Sequence, residues 1–316
     1  MPDKLYLLSS INVSEENIPM AKTFAEYYSS LGVDEFFLVL NGTNDEVEEF
    51  VEYMDSNDME IIYTPWETPY HANVRDNYVY RMHERLIEIA DETDWMLTVD
   101  ADEFFVFPDK MPWDEFTREL EKEDAQYLIS FFLDMTSKDL SLIDFEYGMD
   151  IVSTFPIPTL FSQNVMRAEV QKIPLSRVYV GRNRYSCHTI PQPDAKAYKY
   201  FSKVIPLRHF RLTKVNVESL ASKAEIYSAG QRFNRKAKKY RDGYKFIQDP
   251  SRLETIIIDT KSPLTSVSYN HWKPRYKRGS KMKLYCENSI YGSEVISPEG
   301  YNVCDINLSS IGIGED

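Results

Sequence analysis

The chain has 316 residues, 43% of them hydrophobic and 14% aromatic, which is ample for one large domain or one domain plus an extension. No apolar run approaches the ~18–20 residues of a membrane span. Its net charge of −14 conceals an asymmetry: residues 1–150 hold 36 acidic and 9 basic residues, residues 151–285 hold 8 and 27, and residues 286–316 hold 6 and none. An acidic half beside a basic half argues against a nucleic-acid binder, whose basic footprint dominates one face. The basic half suits a diphosphate, an anionic membrane surface, or the acidic half itself.

Lys4–Ser10 reads as a first strand, and Ile18–Leu31 as a helix with apolar residues at helical spacing, ending at Gly32. Glu35–Leu40 reads as a second strand, Asp45–Met54 as a helix, Glu60–Thr64 as a third strand and Asn73–Ala90 as an amphipathic helix. Trp95–Val99 is a fourth strand. This alternation predicts parallel strands joined by crossover helices. Further on, Trp113–Glu121 reads as a helix, Gln126–Leu133 and Lys203–Leu207 as strands, and Val215–Phe246 as one long or two shorter basic helices. Residues 135–200 mix short strands with loops rich in Pro and Arg, and the region after Thr260 is irregular and Tyr-rich. The first ten residues lack the basic start and long apolar core of a signal peptide. Cys187, Cys286 and Cys304 are odd in number and widely spaced, which predicts a reducing, cytoplasmic setting.

The fourth strand stops on Asp100-Ala101-Asp102, so two carboxylates sit at the carboxyl end of a buried strand, where open α/β sheets bind ligands. Such carboxylates need a positive partner, and a hard divalent cation carrying phosphate oxygens suits them. The other strand ends, at Ser9-Ser10, Asn41 and near Thr64, share that rim. Asn41-Gly42-Thr43-Asn44-Asp45 suits a nucleotide or an ordinary turn and helix cap. Arg75 at a helix N-terminus is an anion site or a surface ion pair. His209, just past a strand, is a candidate third metal ligand; a packed histidine is the plainer reading. His71 and His83 read as structural, and His271 sits outside any clear pattern.

Taken together these segments resemble the GT-A fold glycosyltransferases, in the family-2-like group with an Asp-x-Asp-Glu-Phe signature. The resemblance runs from Asn17-Ile18-Pro19 to Gly32-Val33-Asp34, through Asn41–Asp45, Ala72–Asn77 and Trp95–Pro108, to Lys172–His188 and His209–Lys223. It covers about residues 4–225. Where the group usually has Lys/Arg-Asn-Glu, this chain reads Asn12-Val13-Ser14-Glu15-Glu16. The resemblance implies an α/β, Rossmann-like GT-A domain with a mostly parallel sheet over residues 1–212. Its nucleotide-sugar half would span 1–105 and its acceptor half 106–212, followed by a helical and irregular extension over 213–316. It implies transfer of a sugar from a nucleotide-sugar donor, UDP-linked by analogy, to a glycan or lipid-linked glycan, with inversion. Mn²⁺ or Mg²⁺ would be held by Asp100, Asp102 and His209, with Asp100 alternatively on the ribose. Ser10, Asn41, Asp45 and Arg75 would hold nucleoside and phosphate, and Arg182 and His188 would meet the diphosphate or the acceptor. Asp134, ending the strand Gln126–Leu133, is the first candidate for the base, with Glu146 and Asp150 as rivals.

Two other readings compete. A haloacid-dehalogenase-type phosphatase also uses Asp-x-Asp after a strand, but early in the chain and without the following Glu103-Phe104. A catalytically inactive GT-A domain acting as a scaffold is kept open by the weakly assigned base. The basic segment Ser222–Lys245, with aromatic residues interleaved, reads either as a helix packed on the acidic half or as a peripheral contact with an anionic membrane.

Overall fold

The structure, a computed structural model, describes residues 3–66, 72–107, 111–166, 171–181, 198–199, 201, 205–228 and 234–257. Strands β1 (Leu5–Asn12), β2 (Glu35–Asn41), β3 (Ile61–Trp66) and β4 (Trp95–Thr98) alternate with helices α1 (Ile18–Ser30), α2 (Asn44–Ser56) and α3 (Ala72–Ile89). The four strands pair in parallel in the order β3-β2-β1-β4. This is the Rossmann-like α/β arrangement that the alternation predicts.

The near-continuous apolar runs of β1 and β2 follow from cover on both faces. Leu5, Leu7, Phe36, Leu38 and Leu40 join a cluster with Phe24, Tyr28 and Phe50 of α1 and α2. The alternate residues Tyr6, Leu8, Phe37 and Val39 pack with Met82 and Leu86 of α3. Helix α2 begins on a capping box, with Thr43 accepting from the Glu46 N–H and the Glu46 carboxylate accepting from the Thr43 N–H. Gly32 ends α1 at φ +92°, a conformation a side chain would strain.

Beyond β4 the sheet becomes mixed. β5 (Glu103–Phe105), β6 (Tyr127–Thr136), β7 (Ile157–Thr159), β8 (Gln171–Arg177) and β9 (Ile205–His209) extend it in the order β4-β8-β6-β9-β5, with β7 on β6. β6 and β9 are parallel, whereas β4–β8, β6–β8, β6–β7 and β5–β9 are antiparallel. The expected mostly parallel character therefore belongs to the first half and to the β6–β9 pair. Helix α4 (Trp113–Lys122) covers this half with Trp113, Phe116 and Leu120 buried. The short helices α5 (Ile151–Thr154) and α6 (Val178–Gly181) and a π-helical turn at Phe161–Val165 fill the connections.

The basic segment forms two helices, α7 (Lys214–Ser228) and α8 (Asn234–Ile247), followed by the short α9 (Pro250–Glu254). Val217 and Leu220 of α7 and Ile247 of α8 close a third core cluster over Leu140, Phe161 and Met166. These helices thus belong to the packed body, with Lys238, Arg241 and Lys245 turned to solvent. No described helix is long and apolar enough to cross a membrane.

Phe104 joins the layers next to the aspartates. It is fully buried between Phe24 and Tyr27 of α1 and Phe210 after β9, with ring centroids 4.9–6.0 Å away. Phe104→Ala should lower the unfolding free energy by about 3–5 kcal/mol, read from urea denaturation, because it deletes a fully buried ring packed among other rings.

Candidate functional site

Asp100, Ala101 and Asp102 form the turn between β4 and β5, and the surrounding backbone holds that turn closely. The Glu103 N–H donates to the Asp100 carbonyl at 2.9 Å, and the Phe210 N–H to the Asp102 carbonyl at 2.7 Å. Ser9 Oγ donates to the Val99 carbonyl at 2.8 Å. From α1, the buried Tyr28 hydroxyl donates to the Glu103 carbonyl and accepts from the Phe105 N–H, both at 2.9 Å. The Tyr27 hydroxyl donates to the Phe105 carbonyl at 2.8 Å.

His209 ends β9, between β5 and β6, with Glu103 and Asp134 as its cross-strand neighbours. Its Nδ1 lies 2.7 Å from Asp134 Oδ1 and its Nε2 3.3 Å from Asp102 Oδ2. Burial opposes the charged imidazole, yet Asp102 and the hydrogen bonds to Asp102 and Asp134 raise its pKa to about 9, against repulsion from Arg211. Burial also opposes ionisation of Asp102, but His209 and then Arg211 hold its carboxyl well below the ordinary carboxylate range. Asp134 is 1% exposed; it accepts from the Ser162 N–H and, at 2.7 Å, from Ser162 Oγ.

Asp100 has different company. Its Oδ1 lies 3.6 Å from Arg75 Nη1 and its Oδ2 3.2 Å from Lys172 Nζ. Lys172 comes from β8, is 1% exposed, and is also ion-paired with Glu103, itself 1% exposed. The Glu103 carboxylate accepts the Asp100 N–H at 2.9 Å.

Of these groups Asp100, Asp102, Arg75 and Arg211 open onto a cavity of about 480 Å³, a size suited to a small-molecule ligand, while His209, Glu103 and Lys172 lie behind its wall. The expected Ser10, Asn41, Arg75, Asp100 and Asp102 line it. Asn41 also donates to the Trp66 carbonyl at 2.7 Å, which fixes its amide at the rim. Asp45 is not brought there: it is exposed in the first turn of α2, where a carboxylate suits the helix dipole. Asp134 does not line the cavity either, because it lies behind His209 with its carboxylate engaged; this placement does not suit a base facing an acceptor. Of its rivals, Glu146 is exposed and Asp150 caps α5; neither lines the cavity. Arg182 and His188 lie outside the described residues, as do His71 and His271.

The far wall comes from the turn after β9 and from α7 and α8. Arg211, Asn216, Ser219 and Lys223 face Asp100 and Asp102 across the cavity, so residues on both sides of position 212 build one site. Burial and then repulsion from Arg211 lower the Lys223 ammonium below its ordinary value, with Asp102 opposing. Burial works against the Arg211 charge, but Asp102 and Asp134 raise its pKa. Glu103, Lys172, Arg211 and Lys223 were not singled out as site residues from the sequence, although the acid and the cations lie inside the resembling segments.

Among the described residues, one group has ligand atoms close enough to share a metal ion: Asp102, Glu103 and His209, within 4.8 Å of one another. A carboxylate and an imidazole suit Mn²⁺. Asp134 fixes His209 through Nδ1, as the carboxylate behind a ligating histidine does, and leaves Nε2 toward Asp102. Glu103 fits less well, since Lys172 already neutralises it.

Residues 8–145, less than half of the chain, match the family model described as Glycosyltransferase family 92. The match supports an enzyme of glycosyl transfer. No curated protein sequence matches the chain significantly. Among solved structures, HddC from Yersinia pseudotuberculosis is similar with a TM-score of 0.33 and 9% identity, over 69% of this chain and 97% of that one. TarS 1-349 from S. aureus gives 0.32 and 11%, over 78% and 71%. The inositol-1-phosphate CTP transferase from T. maritima gives 0.32 and 12%, over 77% and 97%.

The Asp102–His209 pair makes stability depend on pH. His209 has a folded pKa of about 9 against an ordinary 6.5, so its contribution is complete below about pH 6.5 and lost as pH rises through about 9. Asp102 is depressed, so its contribution is present above the ordinary 3.8 and lost as pH falls. In chelator, the melting temperature should decline from pH 6.5 to 9.5, and His209→Gln should flatten that decline. Parallel curves for the two proteins would show that the pair is not ionised as described.

Proposed function

We propose that this chain is a metal-dependent glycosyltransferase that takes its sugar from a nucleoside-diphosphate donor and passes it to a hydroxyl of a glycan or glycolipid. The observation that carries this reading is the meeting of Asp102 and His209 at 3.3 Å, on the edge of a cavity whose rim is Ser10, Asn41 and Arg75. Those rim groups, on the carboxyl side of parallel strands, suit a nucleoside and its phosphates.

Asp102 and His209 would hold Mn²⁺ or Mg²⁺, which when bound supplies a positive charge to the leaving diphosphate. The chain's own residues do the rest. Asp100, already flanked by Arg75 and Lys172, is suited to accepting hydrogen bonds from the nucleotide sugar rather than to a second metal contact. Arg75, Arg211 and Lys223 bring positive charge to where phosphate oxygens would lie. Asp134 fixes the His209 tautomer and ring direction, so we assign it as a positioning residue rather than as the base. Because His209 must lose its proton to ligate, metal affinity should rise with pH up to about 9.

Thermal-shift measurements with ADP, CDP, GDP and UDP, with and without Mn²⁺, test the reading. One nucleotide should raise the melting temperature in a Mn²⁺-dependent way, by mass action equivalent to about 2.7 kcal/mol at a hundred times Kd. The shift should vanish in Asp102→Ala. A wild-type protein that no nucleotide stabilises, with or without metal, sinks the nucleotide-sugar donor.

A further inference from the structure

We infer that Lys172 is a positioning residue for the donor site, holding the Asp100 carboxylate in its working orientation through a buried ion pair with Glu103. The inference rests on the reading of Asp100 as a donor contact given above.

The Asp100 side chain is 43% exposed, so left alone it would sample several rotamers and turn its charge to water. Two bonds from one buried unit prevent this. Lys172 Nζ meets Asp100 Oδ2 at 3.2 Å, and the Glu103 carboxylate takes the Asp100 backbone N–H at 2.9 Å. An ammonium carries three N–H donors, enough to hold Glu103 and Asp100 at once. Lys172 is itself placed by the sheet: it lies on β8, between β4, which delivers Asp100, and β6, where Ser130 is its register partner. Pairing with Ser130 of β6, and the ladder to β4 that begins at Leu175, give the ammonium little freedom to follow Asp100 outward.

A counterion for Glu103 alone would need no second contact. The ammonium instead reaches out of the core to Asp100, a turn residue that borders the cavity and whose other oxygen meets Arg75. Arg75 and Lys172 thereby grip different oxygens of the same carboxylate. This sets its plane and leaves Asp102, which neither of them pairs with, to His209 and the metal.

A double-mutant cycle between Lys172→Met and Asp100→Asn tests the inference, read by calorimetric binding, with Mn²⁺, of whichever of ADP, CDP, GDP and UDP stabilises the wild type. Each single variant should weaken nucleotide binding roughly 10-fold, and the double variant should be no weaker than Asp100→Asn, because interacting residues do not add. Mn²⁺ binding without nucleotide should change little. Removing one partner of a buried pair is strongly destabilising, whereas replacing both by apolar residues is often neutral. Where Lys172→Met fails to fold, Glu103→Met/Lys172→Met takes its place in the cycle. That pair should regain the wild-type melting temperature and still bind nucleotide weakly. A Lys172 variant with wild-type nucleotide affinity, or losses that add in the double variant, overturns the role of Lys172. Asp100→Asn with wild-type affinity would instead remove Asp100 from the donor site, and the Lys172 inference with it.

Discussion

The carboxylates removed from water around the Asp100–Asp102 turn each meet a cationic side chain, and that pairing organises the site. Asp134 and Glu103 are 1% exposed, and Asp102 borders them. Unpaired, each would cost several kcal/mol or take up a proton. His209 lies between Asp134 and Asp102, and Lys172 sits on Glu103 and Asp100. The acids lie between residues 100 and 134, and the cations that meet them are Lys172 and His209 from the second half, with Arg75 added at Asp100 from the first. The two halves of opposite charge are therefore interlocked: the acidic half supplies the strand ends, and the basic half brings what makes their charges tolerable.

The pairing works because three strands distant in sequence are neighbours. β9 runs parallel to β6 and antiparallel to β5, which sets His209 beside Asp134 on one side and Glu103 on the other. Tyr28 then ties β5 to α1 from beneath. The two aspartates of the turn diverge as a result. Asp102 faces an imidazole and Asp100 faces two permanent cations, so similar side chains two residues apart are prepared for different partners. Helices α7 and α8 add the far wall, α7 bringing Lys223 and the turn before it Arg211 to the cavity that Asp100 and Asp102 line. Part of the basic segment meets the acidic half, and part, at Lys238, Arg241 and Lys245, faces solvent.

The first half of the fold was legible because local signals agreed with one another. Strand runs covered on both faces, amphipathic helices and the cap at Thr43 all pointed to parallel β-α units, and β1 to β4 follow them with ends moved by a residue or two. The second half was less legible. β8 carries Lys172, Pro174 and Arg177 inside a stretch that reads only as short strands mixed with loops, since nothing local shows that a partner 69 residues away will neutralise a buried lysine. β5 is three residues long and leaves no periodicity to read. Asp134 lies inside β6, which runs on to Thr136 rather than stopping at Leu133, and which way its carboxylate faces depends on Ser162 and His209, both remote in sequence.

The sequence by itself determined the residue types and the strand-end position of the site. An apolar run stopping on Asp100-Ala101-Asp102, a histidine after a later strand and an arginine opening a helix are each local signals, readable from a few neighbouring residues. Only the tertiary structure decided their roles, because role here depends on which charge sits opposite. The sheet order β8-β6-β9-β5 gives Asp100 a lysine, Asp102 a histidine, and Asp134 a place behind that histidine, away from the cavity. Coulomb interactions and desolvation act over ångströms, while the partners that set them are separated by up to about a hundred residues, so spacing alone could not assign them.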